Sequence, residues 1–297
     1  MSLGRAGGVR PRREAPSGAV TLRQGQGLAG LRGLGPVRQV TWLGGQAHNP
    51  SFAPDGEGIA FQSTHEGDTA VFAIDLDGSN LRRLTPPGVT GRHPAWHPDG
   101  AGVAFEAETA AGPALALLDL ARGEVRPLTA PGFRDQHPAW FPDGRRLAFH
   151  SDRAGGLHLF VLDVETGGVE QISRGVARHK HPAVSSGGTL VACVMWERRA
   201  WTLALLEVPS GRLLMERTES RLPQHPAFAG GTTLVYQDEV GGGTALFRVE
   251  LEEAGDVQLT AGEGVHKPAV SRDGRRVAFS ARVGSGWEIC IATLDPS

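Results

Sequence analysis

The sequence predicts an all-β fold: a six-bladed β-propeller of four-stranded antiparallel blades, closed by an N-terminal strand pairing with the C-terminal blade. Three observations predict it. Prolines recur at Pro50, Pro94, Pro138, Pro182, Pro226 and Pro268, in steps of 44, 44, 44, 44 and 42 residues. A period of that length marks an array of supersecondary units, none able to bury its apolar faces alone. Gly and Pro supply 42 and 20 of the 297 residues, a punctuation density that suits short strands and tight turns. The third observation is a phase mismatch between the two chain ends, and it predicts closure.

The repeat around Pro138 shows the elements in order. The inner strand starts at Gln136-His137-Pro138-Ala139-Trp140, and Pro142-Asp143-Gly144 reverses it, because Pro presets φ and Gly accepts positive φ. Leu147-Ala148-Phe149 is the second strand and Asp152–Gly156 the next turn, with Asp152 and Arg153 expected as an ion pair within it. Leu157–Asp163 forms the third strand, Glu165–Gly168 turns, and Val169–Ser173 forms the fourth. The strands are near-continuous apolar runs, which implies burial on both faces by neighbouring sheets. No segment between turns sustains helical apolar spacing.

The last repeat carries Val277-Ala278-Phe279 and Glu288–Ile291 but no fourth strand before Ser297. A spare strand stands at the other end, Arg38–Trp42. Thr41 precedes Pro50 by nine residues, as Thr85 precedes Pro94 and Thr129 precedes Pro138. Pairing this strand with the last repeat closes the ring and removes the exposed edges of an open array.

Residues 37–297 are thus expected to form the propeller, and residues 1–36 a Gly/Arg-rich segment that is disordered or processed. That segment has six Arg against one Glu and no apolar core of a signal peptide. Arg10-Pro11-Arg12-Arg13 can be read as a twin-arginine or polybasic signal instead. As written the chain is expected in the cytoplasm, and in the periplasm if the start lies elsewhere. The net charge of −2 gives no pull toward nucleic acid, and no apolar run approaches the ~20 residues of a membrane span. A monomer is expected. Cys193 and Cys290 sit in apolar strands of different repeats and are expected as buried thiols.

The combined pattern runs Pro-x-Trp/Phe-x-Pro-Asp-Gly, Leu-Ala-Phe-x-Ser-Asp-Arg-x-Gly, a strand ending Asp-x-x-x-Gly, and a closing Leu-Thr. It resembles the TolB-type propeller repeat. Residues 138–173 match nearly throughout, residues 50–85 and 94–129 match well, and the resemblance covers about 38–297. It implies a six-bladed ring with its ligand face at the mouth where the inner strands begin. The same repeat occurs in the periplasmic Tol–Pal envelope protein, in propellers attached to serine peptidases, and in lyases acting on oligogalacturonate. As written, the chain shows neither the N-terminal α/β domain of TolB nor a Gly-x-Ser-x-Gly elbow.

The residue before each repeat proline is Asn49, His93, His137, His181, His225 and Lys267 in turn. Seven of the eleven histidines fall within the three residues before a repeat proline, as do both lysines, Lys180 and Lys267. These six residues are the expected ligand-binding set, held in extended backbone by the proline that follows. Imidazoles His93, His137, His181 and His225 could hold one divalent metal, Zn, Mn, Fe or Ni, since such ions take several nitrogen donors. Gln136, Gln224, Asp135, Glu106, Asp152, Glu197 and Asp238 are expected behind them. The alternative is a repeat device in which each imidazole bonds a neighbouring carbonyl. His65-Glu66-Gly67-Asp68-Thr69 lacks the second histidine of a zincin. Trp96 and Trp140 are expected to pack between blades, and the loop between Trp196 and Trp201 to touch a ligand.

Two functions follow. One is a non-catalytic binding propeller holding a protein or peptide at the loop face and channel mouth, with no cofactor. The other is a metal-dependent lyase or hydrolase acting on an anionic oligosaccharide at the same mouth, with Lys267 or an Arg as base.

Overall fold

The computed structural model describes residues 33–217, 222–251, 253, 255–261 and 264–295. The expected disordered or processed stretch therefore lies almost wholly outside the described residues, as does Thr218 at the end of the fourth repeat. Among the described residues there are 24 strands and no helix, arranged as six four-stranded sheets. The inner strands are Ala47–Phe52, Gly91–Trp96, Gln136–Trp140, Arg178–Val184, Gln224–Phe228 and Val265–Val270. Each begins a blade, numbered 1 to 6 in that order. Blade 3 continues through Arg146–Ser151, His158–Asp163 and Val169–Gln171, as its turn residues predict.

Two local devices repeat from blade to blade. In the first turn, Asp143 Oδ1 accepts the amides of Arg145 and Arg146 at 2.9 and 3.0 Å, while Gly144 turns the chain at φ 69°. Asp55, Asp99 and Asp273 accept the amides of Glu57, Ala101 and Arg275 in the same way. The hydroxyl of the closing Leu-Thr is the second device. Thr85, Thr129, Ser173 and Thr260 each accept a third-strand amide, from Val71, Leu115, Leu159 and Leu246. A buried third-strand amide beyond the short fourth-strand ladder thereby keeps a partner.

The ring closes where the phase mismatch requires. Arg38 pairs with Ile291 and Gln39 with Cys290, and the Val40 amide extends the ladder to the Ile289 carbonyl at 2.8 Å. Thr41 is the closing threonine of blade 6: its Oγ1 accepts the Ile289 amide at 2.8 Å and donates to Glu288. The other oxygen of the buried Glu288 accepts the Leu43 and Gly44 amides, each at 2.9 Å. One carboxylate thus clasps the N-terminal strand at three points. Leu34 bridges Leu294 just ahead of it.

The core is six slabs, each between neighbouring blades. Phe61 and Phe72 of blade 1 pack on Ala278 and Ile289 of blade 6, and Phe105 of blade 2 packs on Ala60 and Val71. Phe149 of blade 3 meets Ala104 and Leu115, and Tyr236 of blade 5 meets Ala192 and Leu203. Burying each aromatic contributes about 2–3 kcal/mol. Trp96 and Trp140 pack against two of these slabs as expected. Cys193 and Cys290 are free, buried and far apart in sequence, and burial pushes both thiols up to about 12.

One expected contact is replaced. Arg153 does not pair with Asp152 but turns inward, 2.6 Å from the buried Asp135, while Asp152 Oδ1 accepts the Arg134 amide. The guanidinium also lies over the Phe149 and Phe160 rings, a stacked site that adjacent Asp152 does not offer.

Candidate binding site at the histidine mouth of the channel

The six residues before the repeat prolines converge on one end of the channel, but not in extended backbone. Their φ values are 55° for Asn49, 46° for His93, 55° for His137, 54° for His181, 49° for His225 and 57° for Lys267. Each stands at a register shift in its inner strand, the signature of a β-bulge. Proline disfavours the right-handed helical region for its predecessor; here the chain takes the left-handed well instead, which Asn and His enter more readily than most residues. Six non-glycine residues held this way are locally strained, and strain of this kind concentrates at functional sites. The bulge re-aims each side chain toward the axis.

The bulge also takes these amides off the inner ladder, and for four of the six the preceding blade supplies the acceptor. The His137 amide donates to Glu106 Oε1 at 2.7 Å, that of His93 to Gln62 Oε1 at 3.2 Å, and that of Lys267 to Gln237 Oε1 at 3.1 Å. His181 makes a longer contact, 3.5 Å, to His150 Nδ1. Of this supporting tier, sequence reasoning found only Glu106. Its signal was present as a polar residue after a buried aromatic in second strands: Phe61-Gln62, Phe105-Glu106, Phe149-His150, Tyr236-Gln237. The other acids expected behind the ring go elsewhere. Asp135 pairs with Arg153, Asp238 accepts the Leu222 amide, and Glu197 lies 3.9 Å from Arg198.

Around the axis the four imidazoles touch in sequence. Ring centroids are 3.8 Å apart for His93 and His137, 4.4 Å for His137 and His181, and 3.9 Å for His181 and His225. Asn49 and Lys267 complete the circle with the six prolines, enclosing a cavity of about 120 Å³. The other end of the channel, past Trp96, Trp140 and Phe228, is wider, about 410 Å³.

Burial sets the charge state of this mouth. It drives His137, His181 and His225 well below the ordinary imidazole value, and neighbouring histidines push the same way. Burial likewise holds His150, His48 and His266 near about 4, although the Glu106 charge opposes it at His150. Lys267 is brought down to about 8 by burial, against the pull of Glu106. Burial raises the Glu106 carboxyl, but His93 and the His137 amide outweigh it and leave it below its usual value. Near neutral pH His137, His181 and His225 are therefore uncharged, each offering one donor and one acceptor nitrogen.

Glu106 Oε1 lies 2.8 Å from His93 Nδ1 and 3.3 Å from His137 Nδ1. His137 Nε2 is buried with no hydrogen-bond partner among the described residues. Donor atoms of His137, His181 and His225 lie within 4.8 Å of one another, as do those of His93, Glu106 and His137. An orphaned buried nitrogen among neutral imidazoles fits either a ligand's polar group or a divalent metal.

A family model described as the TolB beta propeller domain matches residues 87–272. No curated protein matches the sequence significantly. Among solved structures, TolB from Acinetobacter baumannii is 23% identical with a TM-score of 0.65, over 79% of this chain and 57% of its own. This chain thus spans little more than half of that protein. An oligogalacturonate lyase in complex with manganese is 12% identical at TM-score 0.63, over 91% of this chain and 98% of its own. A gluconolactonase from Xanthomonas campestris is 11% identical at TM-score 0.66, over 88% and 90%. At these identities the likeness is one of fold, shared by proteins of different activity.

Proposed function

The chain belongs to the TolB β-propeller domain family, and from that premise we propose that it is a non-catalytic binding propeller holding a protein or peptide at its histidine mouth. The observation that carries this reading is the size of the mouth. A cavity of about 120 Å³ falls below the roughly 300–1,000 Å³ of small-molecule sites and suits one inserted side chain. Its lining of Asn49, four imidazoles, Lys267 and prolines supplies donors and acceptors from every blade but no hydroxyl or thiol nucleophile. Six bulged inner strands anchored in six packed slabs make the ring rigid, so a partner loses little free energy to reordering it.

A second reading rests on a separate observation, the clustered ring nitrogens of His137, His181 and His225. Those three, with His93 and Glu106 beside them, are the residues that would hold a divalent metal. Such an ion would supply Lewis acidity toward an anionic oligosaccharide. The manganese complex of a lyase with this fold supports asking the question.

Metal analysis of the purified protein, paired with partner capture, separates the two. The binding reading expects metal-free protein to retain its partner and His137→Asn with His181→Asn to lose it. Stoichiometric Zn, Mn, Fe or Ni that disappears in the same variant, with no partner lost, would overturn it.

A further inference from the structure

The turn joining the second and third strands of blade 4 is built unlike its five counterparts. In blades 1, 3, 5 and 6 this turn passes through glycine at positive φ, at Gly67, Gly155, Gly241 with Gly242, and Gly284. In blade 2 Gly112, also at positive φ, follows the turn as the first residue of the third strand. Blade 5 makes a two-residue turn, Val240 pairing with Gly243, with Gly-Gly at its tip. Blade 4 makes the same two-residue turn, Glu197 pairing with Ala200, with Arg198 at φ 50° and Arg199 at φ 68°. Two side-chain-bearing residues are thus forced into the left-handed region where the fold elsewhere uses glycine.

What the strain displays is cationic. Arg198 and Arg199 are exposed, and so is Arg178, which leads the inner strand opposite Trp196. Lys180 lies with Nζ 4.0 Å over the Trp201 ring, next in sequence to His181 of the mouth. Glu197 is the one acid near the tip of this hairpin, Glu207 lying at its base, so four cations face one carboxylate. Corresponding turns elsewhere carry acids, Glu66 and Asp68 in blade 1 and Asp152 in blade 3. A basic track therefore runs from the cavity outward over blade 4.

We propose that this hairpin docks an acidic, extended peptide segment of the partner, its carboxylates paired with the Arg198 and Arg199 guanidinium forks. The inference rests on the binding reading and names the chemistry of the segment. A sugar chain fits less well. Trp196 and Trp201 pack on each other at 5.1 Å, and Lys180 covers a face of Trp201, so the pair offers no open aromatic platform.

The test uses a fluorescent octaglutamate peptide, the full chain, and the double variant Arg198→Asn with Arg199→Gly, the residue pair such turns favour. Relief of strain should raise the melting temperature, while peptide affinity falls about fivefold to tenfold and loses most of its salt dependence. Arg198→Glu with Arg199→Glu should weaken the peptide at least as much. Unchanged octaglutamate affinity in both variants would overturn the proposal. So would hairpin-dependent binding of oligogalacturonate with none of octaglutamate. If partner capture still requires His137 and His181 in that case, the mouth reading survives and this inference alone fails. If instead the hairpin governs capture and the ring does not, this inference stands and the mouth reading falls.

Discussion

Acid should weaken this fold through its histidine mouth. His137, His181 and His225 are each held well below the ordinary value of 6.5, because burial disfavours their charged forms. Below pH ~6.5 the unfolded chain takes up protons that the folded chain refuses, so stability intact above that pH is lost as pH falls toward the folded values. One such group contributes at most about 1.4 kcal/mol per pH unit, so the three together reach about 4 kcal/mol between pH 6 and 5. For a chain of this size each kcal/mol moves the melting temperature by roughly 2–4 °C, which gives a drop of at least about 8 °C over that unit. Thermal melts followed by circular dichroism from pH 7.5 to 5 would read it. The triple variant with Asn at these positions keeps a side chain suited to positive φ, as Asn49 does in blade 1. It should lose about 4 kcal/mol of that acid sensitivity and keep a comparable share from His48, His150, His179 and His266, all near about 4. A melting temperature flat across the range, or a triple variant as acid-sensitive as the parent, would refute this electrostatic account.

Other expectations follow from the same geometry. Glu288→Ala leaves the Thr41 hydroxyl and the Leu43 and Gly44 amides without their acceptor and should cost about 2–4 kcal/mol in urea unfolding. Glu288→Gln should cost clearly less, and equal losses would remove the clasp from the account. Thr129→Val strips the buried Leu115 amide of its hydroxyl acceptor and should cost about 1–2 kcal/mol by the same assay. Phe105→Ala, emptying the slab between blades 1 and 2, should cost about 3–5 kcal/mol.

The fold was legible because its period is written twice, in the prolines and in the closing threonines. Thr41 standing nine residues before Pro50 revealed the closure without any long-range information. Membership of the mouth was legible for a similar reason: a residue before a repeat proline occupies one place in every blade. What those residues do there was not. A left-handed bulge depends on pairing across two strands, and the proline rule alone pointed to extended backbone. Arg153 joined Asp135 rather than Asp152 because sequence adjacency says nothing of the aromatic shelf formed by Phe149 and Phe160. The Arg198–Arg199 turn looked merely irregular in sequence, since its strain appears only when φ is known.

The central claim is that a partner is held at the narrow, imidazole-lined mouth and not at the wider end. Photo-crosslinking in the producing cell tests it most directly, with the reactive residue placed at exposed Arg92, beside His93, or at exposed Arg272 on the opposite mouth. The account expects one discrete protein adduct from position 92, absent when His137 and His181 become Asn, and none from position 272. Adducts from position 272 alone, or adducts from position 92 indifferent to the ring, would contradict it.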